Sequence, residues 1–193
     1  MKLTFNLLIL IFLWVGTSYG QVNFRTENDL TDKWKTQLNL QLPLLGHRNW
    51  ILVVDKAFPA QNAAGIVTIN TGEALLPVLQ YTLDQIKSST HVKPLIFTDK
   101  ELNYITVTQV PEIENFMNKL FEIIPKEQAQ TILHDSVFVK IAKASELFRI
   151  VVLKTEQVIP YSSVFLQLDC KYWPAENEKQ LRESMRKDNI KYK

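Results

Sequence analysis

Three side chains in this 193-residue chain combine proton transfer with hydroxyl binding at the edges of apolar runs: His47, Asp55 and Tyr161. A histidine side chain can both accept and donate a proton near neutral pH, which makes it the usual general acid–base group. His47 precedes, and Asp55 ends, the apolar run Ile51–Val54 within "LGHRNWILVVDKAFPA" (residues 45–60). Such a run reads as a fully buried strand, and Phe58-Pro59 stops it from continuing. An aspartate at a strand end can bind hydroxyls or orient an imidazole. Tyr161, in "IPYSS" (159–163), adds a phenolic donor and acceptor. These residue types suit a pocket for a polyhydroxylated molecule, although a His–Asp pair at this spacing is also compatible with a structural role.

The spacing imposes a geometric condition. Eight extended residues span about 26 Å. His47 and Asp55 can therefore share a pocket only if the segment folds back or a neighbouring subunit completes the site.

Other chemistries fit less well. The chain has no G-x-S-x-G, G-x-x-x-x-G-K-[ST] or G-x-G-x-x-G, and five glycines offer little for a phosphate cradle. The single cysteine, Cys170, cannot form an intramolecular disulfide, and its apolar and aromatic neighbours mark it as a packed thiol. His47, His91 and His134 lie more than forty residues apart with no metal-ligand spacing, so no metal is expected. His91 reads as a solvated loop residue and His134 as a group at a helix C-terminus. Trp34 and Trp50 read as core aromatics, with Trp50 near enough to His47 to stack against the apolar face of a guest. Lys171-Tyr172-Trp173 reads as a packing or subunit-contact element.

A formal charge of +2, with basic and acidic residues interspersed, argues against a nucleic-acid partner. An apolar share of 46% and a charged share of 22% place the chain among globular proteins with one substantial core. At the N-terminus, Lys2 precedes the apolar run "FNLLILIFLWV", and Ser18-Tyr19-Gly20 puts small residues at both signal-peptidase positions. The run has the length of a signal h-region and is short for a membrane span. The expectation is a signal peptide over 1–20, cleavage before Gln21, a periplasmic or secreted protein, and no membrane association after cleavage.

The positioning elements follow from periodicity. A flexible segment, 21–29, precedes a helix carrying Leu30, Trp34 and Leu38. A strand over 50–55 and a short one at 66–69 come next, then an amphipathic helix over 73–87 with Pro77 near its first turn. Strands are expected at 93–99 and 103–110. A helix opened by Pro111 runs through Phe116, Leu120 and Ile124, and resumes after Pro125 as far as Leu133. Strands at 136–142, 149–155 and 162–168 follow, the first of them from its alternation. The domain spans 30–173, and 174–193 form a charged terminal helix or tail. Alternating strands and helices predict an α/β fold of three layers, a mainly parallel sheet flanked by helices.

The segment Gly46-His47, Ile51–Val54, Asp55 and Phe58-Pro59-Ala60 resembles the opening of the ribose pyranase and fucose mutarotase family (the RbsD/FucU type), where a Gly-His pair precedes an apolar strand ending in Asp. "VVLKTEQVIPYSSVFLQL" (151–168) is similar to the family's closing segment, with Tyr161 at its tyrosine position and Ser163 where the family has Asn. Together these blocks and the intervening helix cover roughly residues 30–170. The resemblance implies a cofactor-independent isomerase that interconverts ring forms of a free monosaccharide. It also implies a ring-shaped homo-oligomer with sites between subunits. On this likeness His47 is the proton donor and acceptor, Asp55 and Tyr161 hold sugar hydroxyls, and Ser162–Ser163 finish the pocket.

Several departures accompany the likeness. Ser163 lacks the amide donors of Asn, Lys154-Thr155-Glu156 lacks the family's glycine, and Asn49 stands where some members carry an acid. The family's further His or Tyr ahead of the closing block finds no counterpart between His134 and Tyr161. The family's known activities are also intracellular, whereas this chain carries an export-type N-terminus. Two functions follow: a sugar mutarotase or pyranase, or a non-catalytic monosaccharide-binding or assembly protein that keeps the fold.

Overall fold

The computed structural model describes residues 27–191, with the side chains of 33–187. The expected signal segment, its cleavage point and residues 21–26 lie outside them. Helix α1 (Glu27–Gln41) starts inside the segment expected to be flexible. It is followed by strands β1 (Trp50–Val54) and β2 (Ile66–Asn70), helix α2 (Leu75–Ser88), strand β3 (Val92–Asp99) and helix α3 (Ile113–Ile123). Strand β4 (Ala129–Ile132), helix α4 (His134–Ser145), strands β5 (Ile150–Lys154) and β6 (Val164–Cys170), and helix α5 (Ala175–Lys191) complete the order.

The strands form one six-stranded sheet in the order β2-β5-β1-β6-β3-β4. Strand β6 runs antiparallel to both of its neighbours, β1 and β3, and the other pairings are parallel. Five strands thus point one way, in an α/β fold with a mainly parallel sheet. All five residues of β1 are buried, as expected of a central strand covered on both faces.

Alternate side chains divide between two cores. Ile51 and Val53 of β1 join Trp34 and Leu38 of α1, Leu75 and Leu79 of α2, and Phe116 and Leu120 of α3. Trp50, Leu52 and Val54 face the other way, against Val137 and Ile141 of α4. Helices therefore lie on both faces, making three layers. Each fully buried aliphatic side chain of this kind contributes roughly 1.5–3 kcal/mol.

Three expected elements differ. Residues 136–142 belong to helix α4 and not to a strand. A strand would put Val137, Val139 and Ile141 on one face, but Val137 and Ile141 are buried whereas Val139 is 70% exposed. The helical spacing of Val137, Ile141 and Ala144 against the sheet prevails. The helix expected to resume as far as Leu133 ends at Ile123, because Pro125 supplies no N–H and restrains Ile124. Residues 129–132 instead pair with β3 as an edge strand, from Ile96↔Ala129 to Asp99↔Ile132. Residues 103–110 are not a strand: 103–104 end a short 3-10 helix (Lys100–Tyr104) and a turn follows, with the Gln109 carboxamide oxygen accepting from the Thr106 N–H and hydroxyl. Helix α5 carries half-exposed Leu181 and Met185. No helix among the described residues is long and apolar enough to cross a membrane.

Candidate functional site

The carboxyl ends of the parallel strands form one edge of the sheet, the edge where ligands bind in open α/β folds. Strand β1 delivers Asp55 there, β3 delivers Asp99, and β4 leads into His134, the first residue of α4. The loop between β5 and β6 brings Tyr161 and Ser163 to the same edge. A pocket of about 250 Å³ opens between Asp55, Phe58, Pro59, His134, Pro160 and Tyr161.

Asp55 is buried and held from two sides. The Ser163 hydroxyl donates to its Oδ2 at 2.8 Å, and the Ala57 N–H donates to its Oδ1 at 2.9 Å. The Asp55 N–H in turn donates to the Ser163 oxygen at 3.1 Å, so the serine is bound to one residue through both its roles. A carboxylate has about four acceptor positions, so this one retains capacity for a ligand's hydroxyls.

His134 Nδ1 lies 3.1 Å from Asp99 Oδ2. Asp99 is fully buried, and its Oδ1 has no hydrogen-bond partner among the described residues. Burial pushes the Asp99 carboxyl up to about 7, against the opposing pull of His134, while Glu101 and Asp55 add to the rise. The His134 N–H donates to both carboxylate oxygens of Glu101 at 3.1 Å, placing negative charge at the start of α4 where the helix dipole favours it. The imidazole meets Tyr161 and Phe138 edge to face, with ring centroids 5.2 and 5.0 Å away. Tyr161 takes a left-handed backbone, φ 56°, uncommon for a residue with a side chain.

The structure brings Asp55, Tyr161 and Ser163 together and leaves His47 apart. His47 stands before the amino end of β1, at the opposite edge of the sheet from Asp55. Its side chain is 54% exposed, with Nδ1 3.6 Å from Asp169 Oδ1, and Lys93 reaches the other oxygen of that carboxylate at 3.5 Å. Within one chain the segment does not fold back, because β1 is extended across it and five strand residues span about 17 Å. Ser162 is buried and donates to the Ile159 carbonyl at 2.7 Å, bracing the turn beside the pocket.

Other residues also differ from expectation. His134 sits at a helix N-terminus, not a C-terminus, and enters the pocket as an imidazole ahead of the closing segment. No further His or Tyr occurs between it and Tyr161, so His134 is the imidazole nearest in sequence to the closing segment. Asp99 carried a legible signal, since it ends an apolar strand just as Asp55 does. His91 is half-buried and bonded to the Leu45 carbonyl at 2.9 Å, and Trp50 stacks on Phe97 in the core, 5.7 Å between centroids. In the turn before β1, Arg48 takes the left-handed conformation, with φ 74°.

Among the described residues no group of three or more His, Cys, Asp or Glu side chains is placed to hold a metal ion. The arrangement sets a carboxylate, an imidazole and a phenol, each able to hydrogen-bond a hydroxyl, around one pocket.

Fold and pocket together define an α/β protein with a small pocket at the carboxyl edge of its sheet, walled by Phe58, Pro59, Pro160 and Tyr161 and reached by Asp55 and His134. The structure is similar to that of Bacillus subtilis RbsD complexed with D-ribose, with 14% identity and a TM-score of 0.49 over 68% of this chain and 90% of that one. It is similar also to the Streptococcus pneumoniae fucose mutarotase in complex with L-fucose, with 16% identity and a TM-score of 0.46 over 68% and 89%. A third similar structure is FucU from Bifidobacterium longum, with 17% identity and a TM-score of 0.45 over 68% and 92%. No protein-family model matches the chain. No curated protein matches it either.

Proposed function

We propose that this chain binds a free monosaccharide in the pocket between Asp55, His134 and Tyr161 and interconverts its ring forms. The observation that carries this reading is the convergence of a carboxylate, an imidazole backed by a buried carboxyl, and a phenol on one cavity of about 250 Å³. That volume lies just below the range of about 300–1,000 Å³ typical of sites for drug-sized ligands, and suits one sugar ring. Likeness of the Gly46–Ala60 and 151–168 segments to the mutarotase family supports the same substrate class.

Ring opening needs a base at the anomeric hydroxyl and an acid at the ring oxygen. Asp55 takes the hydroxyl proton, His134 gives a proton to the ring oxygen, and the bond from that oxygen to the anomeric carbon breaks. Closure from the other face, or through another hydroxyl, returns both protons, so neither side chain is consumed. Asp99 keeps the imidazole oriented through Nδ1, which leaves Nε2 for the guest. Export, with cleavage before Gln21, belongs to the proposal through the Lys2, apolar-run and Ser18-Tyr19-Gly20 pattern. His47 joins such a pocket only from an adjoining copy, in a ring-shaped homo-oligomer.

Binding without turnover is the second reading, and one observation favours it. The hydroxyl of Ser163 is engaged by Asp55 and does not replace the amide donors of the family's Asn.

The deciding experiment is saturation-exchange NMR on free ribose, fucose and galactose with the wild type, His134→Gln and His47→Ala. Wild type is expected to speed exchange between ring forms and His134→Gln to lose that acceleration. Loss in His47→Ala as well points to a site completed between copies, and retention confines the chemistry to one chain. Ring exchange no faster with wild type than in buffer, with the sugars still bound, replaces the enzyme by the binding protein.

A further inference from the structure

Tyr161 is a wall of two cavities. Tyr161 also lines a second hollow of about 490 Å³, together with Lys100, Glu101, Tyr104, Gln109 and Leu133. We infer that the site takes a reducing disaccharide, with its free hemiacetal unit between Asp55 and His134 and its second unit in the hollow between Tyr104 and Tyr161. This rests on the sugar reading above and extends it from a monosaccharide to a larger substrate class.

The two hollows share more than a wall. Leu133 immediately precedes His134, and Glu101 accepts the His134 backbone N–H, so residues that hold the first turn of α4, from which the imidazole projects, also line the second hollow. Its surface is of two kinds. Tyr104 is 71% exposed and Leu133 53% exposed, an apolar area that the C–H face of a sugar ring would cover. Around it stand groups for hydroxyls. Lys100 makes no ion pair among the described residues. Gln109 is anchored through its oxygen by Thr106, which leaves its amide nitrogen as a donor.

Chemistry restricts the linkage. Ring opening requires a free hydroxyl on the anomeric carbon, so the unit in the first pocket must be joined through a hydroxyl remote from that carbon. Non-reducing disaccharides would fail to exchange however well they bound.

The test compares dissociation constants, by calorimetry on the full protein, for glucose and for maltose, cellobiose and lactose, each of which carries glucose at its reducing end. Ribose, fucose and galactose are measured alongside. At least one disaccharide is expected to bind about tenfold more tightly than glucose. In Tyr104→Ala, a truncation of an exposed ring, that ratio is expected to fall to about one. No disaccharide advantage, while any monosaccharide binds, overturns the second subsite and leaves the sugar reading standing. An advantage that survives Tyr104→Ala overturns its placement in this hollow. Failure of every sugar to bind overturns the sugar reading itself, and the subsite with it.

Discussion

The imidazole Nδ1 of His134 lies 3.1 Å from Oδ2 of Asp99, a carboxyl fully buried at the end of β3. The two residues are 35 positions apart in the chain and meet only because β4 lies beside β3 and delivers α4 onto its end.

This pair has a pH signature. Burial raises the Asp99 carboxyl from 3.8 to about 7, so between those values the folded protein binds a proton that the unfolded chain has released. Stability from this group is therefore full below about pH 4 and is lost as the pH rises towards 7, by at most about 4 kcal/mol. Asp99→Asn keeps the shape and cannot ionise. Urea unfolding at about pH 4.5 and 7.5 should show the variant gaining on wild type at the higher pH. A difference independent of pH would place the carboxyl at its ordinary value.

Ser163 is fully buried and closes a two-way bond with Asp55. Ser163→Ala leaves a buried N–H and one carboxylate oxygen without this partner, a loss of roughly 1–3 kcal/mol. The urea midpoint should fall without a change in slope, and sugar affinity should fall with it as Asp55 loses its alignment. An unchanged midpoint would mean that water replaces the hydroxyl at no cost.

Gly65 packs against the end of α4 just ahead of β2. A Cβ there would run into the backbone carbonyl oxygens of Ser145 and Phe148, which cannot rotate aside as a side-chain tip can. The Gly65 carbonyl also accepts the Ile150 N–H at 2.9 Å, tying it to the start of β5. Gly65→Ala should therefore destabilise by about 1–3 kcal/mol through overpacking, and lower the thermal midpoint. A melting curve identical to wild type would show that this end of α4 moves freely.

Much of the fold was legible because its signals are local. The run Ile51–Val54, bounded by Asp55 and Phe58-Pro59, is a buried strand by composition alone, and the α2 face through Leu75, Leu79 and Ile86 is a helix by spacing. Where both periods fit a short apolar stretch, as in "SVFVKIA", only packing against the sheet decides, and it buries Val137 and Ile141 while exposing Val139. Residues 129–132, expected to be helical, form a strand instead, since an edge strand of four residues has no pattern of its own apart from β3.

For the site, the residue sequence determined which chemical groups were available: carboxylates at the ends of apolar strands, a phenol in a turn and imidazoles beside them. It could not determine which of them meet. Only tertiary structure seats Ser163 on Asp55 across 108 positions, brings His134 to Asp99, and sends His47 to the far edge. The reason is physical. Strand order and direction, with β6 antiparallel between β1 and β3, arise from burying both faces of one sheet at once, and that packing is a property of the whole chain.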